Sequence, residues 1–123
     1  MNIFISYTIK DKEISFDSLS SISRKLKHIG NVYIDIINND SINKQERVFY
    51  ELDNSDIVML LITPNVYKSK WVIIELERAK ERSIPIISFT LKEIETLNIN
   101  SISRLFFNKL KSNLIQKIPV QDK

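Results

Sequence analysis

The chain has 123 residues, enough for one domain that buries about two thirds of its unfolded surface, and no cysteine, which excludes a disulfide framework and thiolate chemistry. Lys and Arg number 18 against 15 Asp and Glu, and the net charge of +3 is too small to argue for nucleic acid; the single histidine, His28, leaves no His cluster for zinc and no Ser-His-Asp arrangement independent of it. Apolar runs of about six residues fall far short of the roughly 20 that a membrane span requires, and no charged segment precedes the first strand pattern, so a cytoplasmic protein is expected.

Asn2 to Tyr7 opens with Ile3-Phe4-Ile5, a short continuous apolar run as expected of a strand buried on both faces, and ends in Ser6-Tyr7-Thr8. Lys10-Asp11-Lys12-Glu13 reads as a solvated loop. Phe16, Leu19, Ile22, Leu26 and Ile29 then recur at steps of three and four and mark one face of a helix. Gly30, the only glycine, follows at once, where a left-handed residue just past a helix favours it. Val32-Tyr33-Ile34 is a second strand ending at Asp35. Ile36 to Asn43 reads as a polar loop, and the next helix has Ile42, Val48, Phe49 and Leu52 as apolar positions, with Ser41 or Asn43 as its cap.

Ile57 to Ile62 is the most hydrophobic run and belongs in the middle of the sheet. It stops at Thr63-Pro64-Asn65, and a helical pattern begins near Trp71. At about 100° per residue, Val72, Leu76, Ala79 and Ser83 fall on one stripe, while Trp71, Glu75, Arg78 and Arg82 gather on an adjacent one. Glu75 therefore flanks the core without belonging to it. Ile84-Pro85-Ile86-Ile87 is a fourth strand, with proline tolerated as its first residue. Thr90 to Asn100 carries little signal. Ser101 to Ile118 returns to helix, with Ile102, Leu105, Phe106, Leu110 and Leu114 on its inner stripe, and Pro119 ends it. The charged residues of this last segment, Arg104, Lys109, Lys111 and Lys117, are all basic, yet the clean apolar stripe argues for a core-covering helix over a nucleic-acid surface.

Strands and helices alternate with connections of the lengths seen in βα and αβ units, which predicts one α/β domain over 1–123: a parallel sheet with helices on both faces. Ligands in such sheets sit outside the carboxyl ends of the strands, so the polar residues Asn65, Tyr67 and Ser69, with Trp71 and Glu75 behind them, would face a crevice. No glycine-rich phosphate loop is present, which argues against hydride transfer.

Taken together, several stretches resemble a Toll/interleukin-1 receptor (TIR) domain. Phe4-Ile5-Ser6-Tyr7 with Asp11 is similar to the family's first box, Val32-Tyr33-Ile34-Asp35 to its second strand, and Ser55-Asp56-Ile57-Val58 to the approach to its third. Ile62-Thr63-Pro64-Asn65, Tyr67, Ser69-Lys70-Trp71 and Glu75-Leu76 resemble the loop and helix that carry the glutamate of the enzymatic members, and Ile84-Pro85-Ile86-Ile87 the strand after it. The order and spacing of the set, spanning residues 1–88, give it its strength. Two departures stand out: the loop from Ile36 to Lys44 lacks the Pro-Gly or Gly of many members, and the chain past Phe89 is short for the family, with Leu105-Phe106-Phe107 a candidate fifth strand that fits the last helix better.

The resemblance implies a flavodoxin-like fold of four to five parallel strands in the order 2-1-3-4-5. It also implies cleavage of the nicotinamide–ribose bond of NAD⁺, with NAD⁺ as substrate and no other cofactor or metal. Glu75 would be the catalytic carboxylate, and Ser6, Tyr7, Asp11, Asp35, Asn65, Ser69 and Trp71 would line the substrate site. In composition and in showing no attached domain the chain resembles the stand-alone bacterial Thoeris anti-phage type, which implies self-association, a phage-derived trigger and a separate effector that reads a cyclic ADP-ribose-like signal. Plainer readings stand beside these. Glu75 is also what a helix's first turns favour near Arg78, Trp71 can be packing, Asp11 a loop acid or helix-start residue, and Asn65 and Ser69 turn and cap residues. A non-catalytic TIR interaction module and a nucleoside 2-deoxyribosyltransferase-like enzyme are the rival functions.

Overall fold

Period-two alternation along the strands decides which side chain meets which layer of helices, and that in turn sets what can stand at the sheet's edge. In a computed structural model, which describes residues 1–116, the four strands β1 (Asn2–Ser6), β2 (Asn31–Tyr33), β3 (Ile57–Ile62) and β4 (Ile86–Thr90) are all parallel, in the order β2-β1-β3-β4. The helices are α1 (Phe16–Leu26), the single turn α2 (Asp35–Asn38), α3 (Lys44–Asp53), α4 (Lys70–Glu81), α5 (Leu91–Thr96) and α6 (Ile99–Gln116). Ile3, Ile5, Ile57, Met59, Leu61, Ile87 and Phe89 point to one layer, built from α1, α5 and α6. Phe4, Tyr33, Val58 and Leu60 point to the other, built from α3 and α4. Residues Ile57 to Leu61 are buried without a break, and each such side chain contributes about 1.5–3 kcal/mol in transfer free energy, so β3 is a centre strand as its sequence predicts. The flavodoxin-like arrangement is present, with four strands among the described residues. Leu105-Phe106-Phe107 lies within α6.

Several local readings are corrected. Gly30 is not left-handed. A Cβ there would collide with the Met1 carbonyl oxygen, and the same oxygen accepts from Asn31 N–H at 2.8 Å, so glycine is required by close approach of the first residue and not by torsion. Among the described residues the left-handed one is Ser83, φ 58°, which lies past the end of α4 and is exposed, so it leaves the core stripe that continues through Val72 and Ala79. The second strand stops at Tyr33, and the expected loop begins with the turn α2. Asn43, not Ser41, caps α3, and Ile42 stands fully in solvent ahead of that helix. Strand β4 starts at Ile86; Pro85 precedes it, and the Pro85 carbonyl accepts from Val58 N–H.

The region without clear signal holds α5, whose start is a capping box: Thr90 Oγ1 accepts from Glu93 N–H, and Glu93 Oε1 accepts from Thr90 N–H. Thr-x-x-Glu is readable in sequence, though the six-residue helix after it is too short to show a period. Lys109, one of the basic residues of the last segment, turns inward, with Nζ donating to Ser88 O and Glu93 Oε1. Ile102 and Phe106 of α6 are buried as expected, while Lys117 and Pro119 lie outside the described residues, as does the side chain of Leu114. No helix among the described residues is long and apolar enough to cross a membrane.

Candidate functional site

The chain steps from β1 to β2 on one side and then crosses to β3 on the other, so the connections leaving β1 and β3 diverge and open a crevice at their carboxyl ends. A cavity of about 400 Å³ occupies it, within the size range of small-molecule sites. Tyr7, Thr8 and Ile9 reach it from the end of β1, Asp35 from the end of β2, Lys44, Gln45 and Val48 from α3, and Ser69, Trp71 and Glu75 from the start of α4.

Glu75 reaches the crevice because α4 begins where it does. Ser69 caps the helix, its hydroxyl accepting from Val72 N–H at 3.3 Å, and Trp71 and Glu75 then stand one turn apart on one face. Ser6 follows Phe4 by two residues and so points to the same layer, where its hydroxyl donates to Glu75 Oε1 at 2.8 Å. Burial raises the Glu75 carboxyl to about 7; the Ser6 hydrogen bond opposes this, and the nearby Asp35 charge adds to it. Trp71 is 50% exposed, and its ring packs on Phe49 at 6.4 Å between centroids, leaving an aromatic surface beside the carboxylate. The stripe partners of Glu75, Arg78 farther down α4 and Arg82 just past its end, both pair with Asp53 of α3 and tie the two helices together.

Tyr7 and Asp35 form the opposite wall. The Tyr7 hydroxyl accepts from Ile36 N–H at 3.2 Å, and burial, foremost, pushes the phenol up to about 12. Asp35 Oδ1 accepts from the Tyr33 hydroxyl and from Asn39 Nδ2 at 2.7 Å, which orients the carboxylate toward the crevice rim.

Asp11 and Asn65 go elsewhere. Asp11 is buried, against the expectation of a solvated loop, and both its oxygens are taken by Asn65: Oδ2 accepts from the backbone N–H at 2.9 Å and Oδ1 from Nδ2 at 2.7 Å. The pair ties the loop after β1 to the loop after β3 and is not part of the crevice lining. Tyr67 is exposed and also outside the lining, and His28 is exposed in the turn that follows α1.

Lys44, Gln45, Val48, Thr8 and Ile9 line the crevice without having been singled out in sequence. Their signal is weak because it requires knowing both that α3 starts at Lys44 and that β2 lies beside β1. Among the described residues, no group of three His, Cys, Asp or Glu is placed to hold a metal ion.

Sheet order and a carboxylate-bearing crevice at the switch point define an α/β domain of the flavodoxin-like kind. The chain belongs to the TIR domain family, whose family model matches residues 3–117. No curated protein matches the chain. The family includes NAD⁺-cleaving members and scaffolds.

Proposed function

We propose that this protein cleaves the N-glycosidic bond between nicotinamide and ribose in NAD⁺ and that the ADP-ribose product, linear or cyclic, serves as a signal in bacterial anti-phage defence. The observation that carries the reading is Glu75 on the wall of the strand-end crevice, held from behind by the hydroxyl of Ser6, which is buried and outside the lining, with the half-exposed Trp71 beside it.

The chemistry asks little more of the protein. As the C1′–N bond breaks, its electron pair returns to the pyridinium nitrogen, so nicotinamide leaves neutral and needs no acid. Positive charge builds on the ribose ring. A carboxylate fixed beside that ring stabilises the charge, and one such preorganised group is worth on the order of 10²–10³ in rate. Water then adds at C1′ and gives up a proton to Glu75 or to solvent, yielding ADP-ribose; attack by a ring nitrogen of the same nucleotide yields a cyclic isomer. Ser6 holds Glu75 in place and favours its ionised form. Trp71 offers a flat apolar wall to a planar ring, and Tyr7, Asp35 and Ser69 offer hydroxyl and carboxylate contacts to the ribose.

The test is nicotinamide release from NAD⁺, followed by chromatography, by the concentrated protein and by a Glu75→Gln variant. Release by the wild type and a loss of at least about 100-fold in the variant is expected. Equal release by both would remove Glu75 from its role. No release under any condition would favour the interaction module, and base exchange between deoxynucleosides would favour the deoxyribosyltransferase reading.

A further inference from the structure

Two of the three charged side chains that line the crevice are acids, Asp35 and Glu75, and the third is Lys44. A crevice with only the two carboxylates would repel the diphosphate of a dinucleotide, since each close like-charge pair in a half-enclosed site costs more than it would in water. Lys44 reverses this locally. It is the first residue of α3, where the helix's positive end adds to the ammonium charge. The ammonium donates to Asn39 O at 2.8 Å, and Asn39 Nδ2 in turn donates to Lys44 O and to Asp35 Oδ1. The ammonium of this crevice-lining residue is thus held by the same asparagine that bonds the Asp35 carboxylate. An ammonium so placed still has two donors to offer.

From this arrangement we propose that Lys44 is a specificity-determining residue: it binds the diphosphate of the substrate and so selects dinucleotides over nucleosides. The assignment rests on the NAD⁺-cleaving reading and adds the polarity of binding, with the nicotinamide riboside end at Glu75 on α4 and the diphosphate at the start of α3.

The experiment compares NAD⁺ with nicotinamide riboside, which carries the same scissile bond and no phosphate, in the wild type, Lys44→Met and Lys44→Arg. Methionine keeps the length of the stem and removes the charge. In Lys44→Met, kcat/KM for NAD⁺ is expected to fall about tenfold further than kcat/KM for nicotinamide riboside, mainly through KM, and Lys44→Arg is expected to recover most of it. Equal losses on both substrates would overturn the proposal, since a residue that only braces the Asn39 segment would affect both alike. If the wild type releases no nicotinamide, the functional reading fails separately, and calorimetric titration with ADP-ribose decides for Lys44. Binding weakened about tenfold in Lys44→Met upholds it; equal binding, or none by either protein, overturns it.

Discussion

Burial holds the Glu75 carboxyl near 7, and this links stability and rate to pH with opposite signs. In the unfolded chain the group ionises around 4.5, so between 4.5 and 7 the native state keeps a proton that the unfolded state has lost. Stability from this group is full below 4.5 and is lost as pH rises through 7. At about 1.4 kcal/mol per unit, and allowing for partial exposure, Glu75→Gln should be about 1–3 kcal/mol more stable than the wild type at pH 8 and nearly equal to it at pH 4, as urea titrations would show. The rate runs the other way. If the carboxylate is the working form, kcat/KM for nicotinamide release climbs as pH rises toward 7 and then levels. Because the Ser6 hydrogen bond lowers the Glu75 pKa, Ser6→Ala should move the midpoint of that profile to higher pH. An unchanged midpoint would separate Ser6 from the site. Trp71, the only tryptophan, gives a direct probe: its fluorescence should change on titration with ADP-ribose, and a flat response at saturation would place the ligand elsewhere.

The elements around the site are positioned by polar contacts as much as by apolar stripes. Asp53 of α3 accepts from Arg78 Nε at 2.7 Å and Nη2 at 2.8 Å and forms an ion pair with Arg82 at 2.8 Å, while the Arg78 guanidinium also lies 4.5 Å from the centre of the Phe49 ring that supports Trp71. The Arg78 hydrogen bond, foremost, holds the Asp53 carboxyl below its ordinary range, so its contribution is present above pH 3.8 and is lost as pH falls through the lowered value. Asp53→Asn should cost about 1 kcal/mol at pH 7, the upper end for a partly exposed pair, and the cost should shrink as pH falls below 3.8. At the outer edge of the sheet, two α6 side chains one turn apart meet two β4 carbonyls two residues apart: Lys109 Nζ donates to Ser88 O and Asn113 Nδ2 to Ile86 O. A helical step of four spans about 6 Å and a strand step of two somewhat more, so the spacings nearly match. These donors stand where an adjoining strand would place its amides. Replacing both with alanine should leave the edge open to pairing and produce aggregation that rises with concentration, seen by light scattering.

For the whole molecule, the apolar residues left at the crevice mouth set the expectation for assembly. Ile9 is 71% exposed and Trp71 half so. On the proposed function, a second copy closing over this rim would exclude water from the ribose, and specific activity should rise with protein concentration until the oligomer saturates. A constant specific activity across that range would mean a monomer suffices. Much of the molecule was already written in the chain. The alternation of strands and helices, the central place of Ile57 to Ile62 and the common face of Trp71 and Glu75 all follow from periods of two and 3.6, which are local properties of the backbone. Other features were settled only when the strands took their order. Ser6 meets Glu75 across 69 residues and Asp11 meets Asn65 across 54, and Lys44 enters a crevice whose other walls come from β1, β2 and α4. The raised pKa of Glu75, the inward turn of Lys109 and the crowding that demands Gly30 are of the same kind. Each depends on which strand ends lie side by side, and no periodicity within one segment carries that information.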